Sequence, residues 1–126
     1  MSWYLDPDGQ ERLALETELL ALDYPQMQVL VCEDGKVRVA GYLHPELCQR
    51  PYYVVLEYPD YYPYDRIKVH CPETEFAAGT PHRHMEDDLC VDHQDFEPDD
   101  TICTVLGWTA QWLTLYEDYL RTQRTW

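Results

Sequence analysis

Apolar residues recur along this chain at helical spacing, then at strand spacing, then without period, and finally at helical spacing again. From Pro7 to Leu22 the positions Leu13, Leu15, Leu19, Leu20 and Leu22 supply the apolar side of a helix. Asp6 is placed to cap it, and Pro7 stands at its first position, where a missing N–H costs nothing. Tyr24-Pro25 ends it. Gln28 to Cys32 and Val37 to Leu43 are short β-rich runs, and the Asp34-Gly35 pair between them is a hairpin signal. Tyr52 to Tyr58 predicts a third strand, and Arg66 to Cys71 a fourth in which Ile67 and Val69 alternate with Lys68 and His70. Between these two, Tyr58-Pro59-Asp60-Tyr61-Tyr62-Pro63-Tyr64 predicts a proline-stiffened turn packed by tyrosines.

Periodicity is lost from Pro72 to Asp100. An irregular segment of about 29 residues is unusual inside a compact domain unless it carries function. From Thr101 to Arg121 helical spacing returns, with Ile102, Val105, Leu106, Thr109, Trp112, Leu113, Tyr116 and Leu120 along one face. The predicted fold is therefore α+β: an N-terminal helix, a four-stranded antiparallel meander, a long active-site loop and a C-terminal helix. With 126 residues, 45% of them apolar, the expectation is one domain over residues 1–126.

Charge narrows the classes of partner. A net charge of −15 argues against binding to nucleic-acid phosphates, which takes clustered Lys and Arg, and favours a basic protein surface instead. No apolar run approaches the roughly 20 residues that span a bilayer, and the first residues lead into acidic sequence rather than a basic and then apolar leader. Cys32, Cys48, Cys71, Cys90 and Cys103 are odd in number and lack paired metal-binding spacing, which fits a reducing compartment. The expectation is a cytoplasmic protein.

The irregular segment holds the candidate chemistry. His82-Arg83-His84 is followed closely by Asp88-Leu89-Cys90-Val91, so one thiol lies near two imidazoles. A thiolate can carry an acyl group as a thioester, and a nearby donor can stabilise the oxyanion of the transfer. Eight acidic residues from Glu86 to Asp100 oppose that thiolate by like-charge repulsion, and His82, His84 and His93 offset them when protonated. Cys103 has a separate case. Asp99, Asp100 or Thr101 can cap the last helix and leave Cys103 in its first turn, off the apolar face, where the helix dipole favours a thiolate. It is then a second nucleophile, a resolving thiol or the acceptor itself, and a Cys90–Cys103 disulfide is an off state if the Cα atoms come within about 7 Å.

In order of elements and in motif, the chain resembles the ubiquitin-conjugating enzymes, over nearly its whole length from Pro7 to Trp126. His82-Arg83-His84 resembles that family's His-Pro-Asn tripeptide, and Leu89-Cys90-Val91 the segment around its acceptor cysteine. Trp112-Leu113, Tyr116-Glu117 and Trp126 resemble the ending of short bacterial relatives, in particular the stand-alone ubiquitin-conjugating-like proteins of cyclic-oligonucleotide anti-phage signalling (CBASS) operons. The resemblance implies a thioester with the C-terminus of a cGAS-like nucleotidyltransferase, passed on to a lysine. Cys90, Cys103, His82 and His84 are the candidate catalytic residues: His82 orders the loop, and His84 replaces the asparagine that supports the oxyanion. His84 donates there only in the correct tautomer or when protonated.

Asp92 or Asp95 could help deprotonate the lysine, beside an ordinary surface role for each. No cofactor is expected, since the chain has no phosphate-cradling glycine motif, and the first thioester needs either a separate loading enzyme or cleavage of a partner peptide bond. Two readings compete with catalysis. One is a zinc site of His82, His84, Cys90 and His93, residue types that zinc accepts at a spacing that is not typical. The other is a non-catalytic protein-binding module of the same fold.

Overall fold

The computed structural model describes residues 2–83, 88–92 and 95–126. Its elements, in chain order, are α1 (Pro7–Asp23), β1 (Gln28–Val31), β2 (Val37–Leu43), β3 (Tyr52–Glu57), β4 (Lys68–His70) and α2 (Ile102–Thr122). Among the described residues the fold is α+β, with two helices and one antiparallel sheet in the order β1-β2-β3-β4, as the hydrophobic pattern predicts.

The start of α1 follows from its cap: the Asp6 carboxylate accepts the Gly9 N–H at 2.7 Å. The predicted leucine side of α1 needs correction. Leu20 is buried and Leu13 and Leu19 are half-buried, but Leu15 and Leu22 are 47% and 74% exposed. The inward line runs Gly9, Leu13, Glu16, Leu20, at the three-to-four residue spacing of a helix face. A glycine and a carboxylate hold two of its four places, and hydropathy cannot see either as core. Gly9 is required by close approach, since a Cβ there would stand 1.7 Å from the Trp3 carbonyl oxygen. Trp3 crosses at that point to pack on Tyr58 and Tyr62, with ring centroids 5.1 and 4.9 Å away.

The β1–β2 hairpin turns at Asp34-Gly35, where Gly35 has φ +82°. Gly35 N–H donates to the Cys32 carbonyl, and the Gly35 carbonyl accepts from Ser2 Oγ and Tyr4 Oη, both at 3.0 Å. Along β3, Tyr52, Val54 and Leu56 are buried while Tyr53, Val55 and Glu57 are only partly covered, the alternation of a sheet with one face on the core. In α2 every predicted face residue is buried except Leu120. That face and the inner side of the sheet share one core. In the tyrosine-rich turn, Tyr58 and Tyr62 are buried and Tyr61 and Tyr64 are exposed.

β4 is half the predicted length because β3 pairs only with Lys68, Val69 and His70. On its other side, Val69 takes partners from the irregular segment. Leu89 N–H donates to the Val69 carbonyl at 2.9 Å, and Val69 N–H donates to the Asp88 carboxylate at 2.9 Å. The segment that carries Cys90 is thereby laced to the edge of the sheet.

Candidate active site

Cys90 sits on a main chain fixed from both flanks. Leu89 and Val91 are buried in the core, so the strand-like alternation turns Cys90 the other way, and its residue is half-buried. Cys90 N–H donates to the His82 carbonyl at 2.8 Å, and Arg83 and Leu89 form an isolated β-bridge beside it. Trp112, buried in α2, donates its indole N–H to the same His82 carbonyl at 3.1 Å.

His82 is exposed and adopts φ 57°, a left-handed conformation uncommon outside glycine. Its imidazole is directed at Trp126: Nε2–H donates to the Trp126 main-chain oxygen, and the ring centroids are 5.4 Å apart. The contact of His82 with Cys90 is thus made by its main chain. His84 and His93, with their expected roles as oxyanion donor and counter-charge, lie outside the described residues, as do the acidic Glu86 and Asp87. Of the remaining carboxylates in the run, Asp92 is half-buried and Asp95 is exposed.

One cation coupled to this chemistry was not singled out by the pattern. The Arg66 guanidinium pairs with Asp88 at 2.5 Å, and the Asp88 side chain is only 1% exposed. Although burial alone would lower it, the Arg66 pKa is raised by its hydrogen bond to Asp88 and by the charges of Asp88, Asp92 and Cys90. A permanent positive charge therefore couples to the Cys90 sulfur from β4's approach. With nine Lys and Arg in the whole chain, each cation is worth placing, and that scarcity was the available signal.

Cys103 stands in different surroundings. Thr101 is the N-cap of α2, and its N–H donates to Thr104 Oγ1 at 3.1 Å. The next free N–H, that of Ile102, donates at 2.8 Å to the buried carboxylate of Glu16, from α1. The positive end of α2 is thus already satisfied by an anion. Cys103 packs half-buried against the core, and burial, with the charges of Asp23 and Glu16, pushes its thiol up from 9.0 to about 11. The expected thiolate at this helix start is corrected: α1 covers it and brings carboxylates.

All five cysteines are free thiols, and Cys48 and Cys71 belong to the core. His44 Nε2–H donates to the Cys48 carbonyl at 2.9 Å, a loop-ordering bond. Among the described residues no group of three or more His, Cys, Asp or Glu could hold a metal ion. No helix among them is long and apolar enough to cross a membrane.

The buried thiols give an alkaline signature. Burial pushes Cys71 from 9.0 to about 12, as it helps push Cys103 to about 11. Above pH 9 the unfolded chain releases these protons while the folded chain keeps them, so the folded state binds more protons. Stability is then full below pH 9 and declines as pH rises through 11 and 12. Denaturant midpoints measured from pH 8 to 11 should fall, and Cys71→Ala with Cys103→Ala should flatten the slope. An unchanged slope in that double variant would remove these thiols from the account.

A family model described as Type II CBASS E2 protein matches residues 16–126. Among solved structures, the chain is similar to human ubiquitin-conjugating enzyme E2 G1, at 17% identity and TM-score 0.61, over 86% of this chain and 97% of that one. It is also similar to the Vps23 UEV solved in a complex with ubiquitin, at 14% identity and TM-score 0.58, over 82% of this chain and 81% of that one. Likeness at such identities speaks for the fold alone. No curated protein matches the chain.

Proposed function

Because the chain belongs to the Type II CBASS E2 protein family, with a ubiquitin-conjugating-like role in CBASS, we propose that it is an acyl carrier and ligase whose acceptor is Cys90. The Cys90 thiolate attacks the C-terminal carbonyl of a partner protein, a cGAS-like nucleotidyltransferase in this reading. A carbon–sulfur bond forms, the carbonyl's bond to the departing group (the activating group of a separate loading enzyme, or the amine of a cleaved peptide bond, which leaves protonated) breaks, and the product is a thioester. A lysine amine then attacks the same carbonyl, an amide bond forms, and Cys90 leaves as thiol.

The observation that carries the choice of Cys90 is the contrast between the two thiols. Cys90 is held by the His82 carbonyl and lies beside the charge of Arg66, whereas Cys103 is kept protonated by burial beside Asp23 and Glu16. His82 contributes by ordering the main chain at Cys90, and the role of His84 as oxyanion donor rests on the sequence motif. The −15 charge suits a basic partner face.

The test is intact mass of the chain after co-expression with the proteins encoded beside it, before and after reductant and hydroxylamine. A mass increment that both reagents remove supports a thioester. An unmodified chain with every neighbour would favour the binding module, and near one equivalent of zinc in chelator-free protein would favour the metal site.

A further inference from the structure

We propose that Trp126 is a positioning residue: it clasps His82 from outside and so fixes the peptide that holds the Cys90 main chain. The functional half of this proposal rests on Cys90 as the acceptor, argued above. The clasp itself does not.

Three attachments meet at His82. Its carbonyl accepts the Cys90 N–H and the Trp112 indole N–H, and its imidazole donates to the Trp126 main-chain oxygen while lying against the Trp126 ring. A non-glycine residue at φ 57° persists only where its surroundings over-determine it. Trp112 holds from the core side, and Trp126 is the counterpart on the solvent side.

Trp126 is itself brought to this place by the end of α2. Gln123 takes a left-handed C-cap conformation, φ 62°, with its N–H on the Tyr119 carbonyl, and this turns the chain back along the helix. Arg124 and Thr125 are exposed, so the returning segment is anchored through Trp126. Its ring meets Trp112 edge-on at 5.4 Å and Tyr119 at 6.0 Å. Trp126 is partly exposed and outside the buried core, so it can be replaced without emptying that core, as Trp112 cannot. A residue with few ties of its own other than to the active-site histidine and its neighbours is placed to act through that histidine.

The experiment compares wild type with Trp126→Ala and Trp126→Phe in the whole chain, by two readouts. Amide hydrogen exchange at Cys90 needs no partner and reports the bond to the His82 carbonyl. It should accelerate at least tenfold in Trp126→Ala and return to within threefold of wild type in Trp126→Phe, with exchange in β2 and β3 unchanged. The thiol-labile adduct fraction after co-expression should fall at least fivefold in Trp126→Ala and recover in Trp126→Phe. Unchanged exchange at Cys90 overturns the clasp. Faster exchange with undiminished adduct overturns the positioning role. An adduct that survives Cys90→Ala instead overturns the acceptor assignment, and is told apart because the exchange arm contains no partner.

Discussion

Replacing Glu16 by alanine is expected to lower the unfolding free energy by about 3–5 kcal/mol, the range for breaking a buried ion pair by removing one partner. Glu16 is fully buried, yet it accepts from four groups on three parts of the chain. Tyr58 Oη and Tyr62 Oη donate to it at 2.8 and 2.9 Å, Ile102 N–H at 2.8 Å and Arg12 Nε at 3.0 Å. Burial, reinforced by the Glu16 charge, drives both tyrosine pKa values upward, so both hydroxyls stay donors. Alanine would leave a guanidinium, two hydroxyls and a helix N-terminal amide facing an empty volume. Glu16→Gln keeps one acceptor oxygen and the shape, and should cost less. The measurement is urea unfolding, where the midpoint should move and the slope m should not. A loss under 1 kcal/mol in Glu16→Ala would contradict this network.

Cys90→Ala is expected to abolish the thiol-labile adduct, whereas Cys103→Ala should retain it at half the wild-type level or more. With its thiol held at about 11, Cys103 is ~0.03% thiolate at pH 7.5. That sets Cys103 back before access is considered, and α1 packs at the same helix start. Retention of the adduct in Cys90→Ala with its loss in Cys103→Ala would reverse the assignment. That result would also require α1 to move away from the start of α2, which protease sensitivity near Asp23 would reveal.

The backbone was largely legible because it follows from spacing. Alternation in β3, the Asp34-Gly35 turn and the Asp6 cap are local signals, and α2 announced its buried face through seven of eight positions. What escaped depends on partners far along the chain. Glu16 belongs to the core only because Tyr58 and Ile102, 42 and 86 residues away, bring it donors. The surroundings of Cys103 were hidden for the same reason, since a helix start favours a thiolate only while no carboxylate has taken the site. At the candidate centre, Leu89-Cys90-Val91 stood out by motif alone, and its two buried flanks have no periodic signal in the sequence around them. Asp88 was not distinguishable from its acidic neighbours until Arg66 and the Val69 N–H were found on it. The reach of Trp126 back to His82 likewise has no local pattern behind it.

The lacing of residues 88–89 onto β4 ties chemistry to solubility. A sheet of four strands has two flanks, and free backbone donors and acceptors on either invite another chain to add on. Here the main-chain N–H and C=O of Val69, at the middle of β4, are occupied by the loop that carries Cys90. Any substitution that frees that loop, above all at Asp88, uncovers a template for strand addition in the same event that displaces the thiol. Inactive variants of this kind would be found in the aggregated fraction, and soluble expression would serve as a first screen for an intact centre.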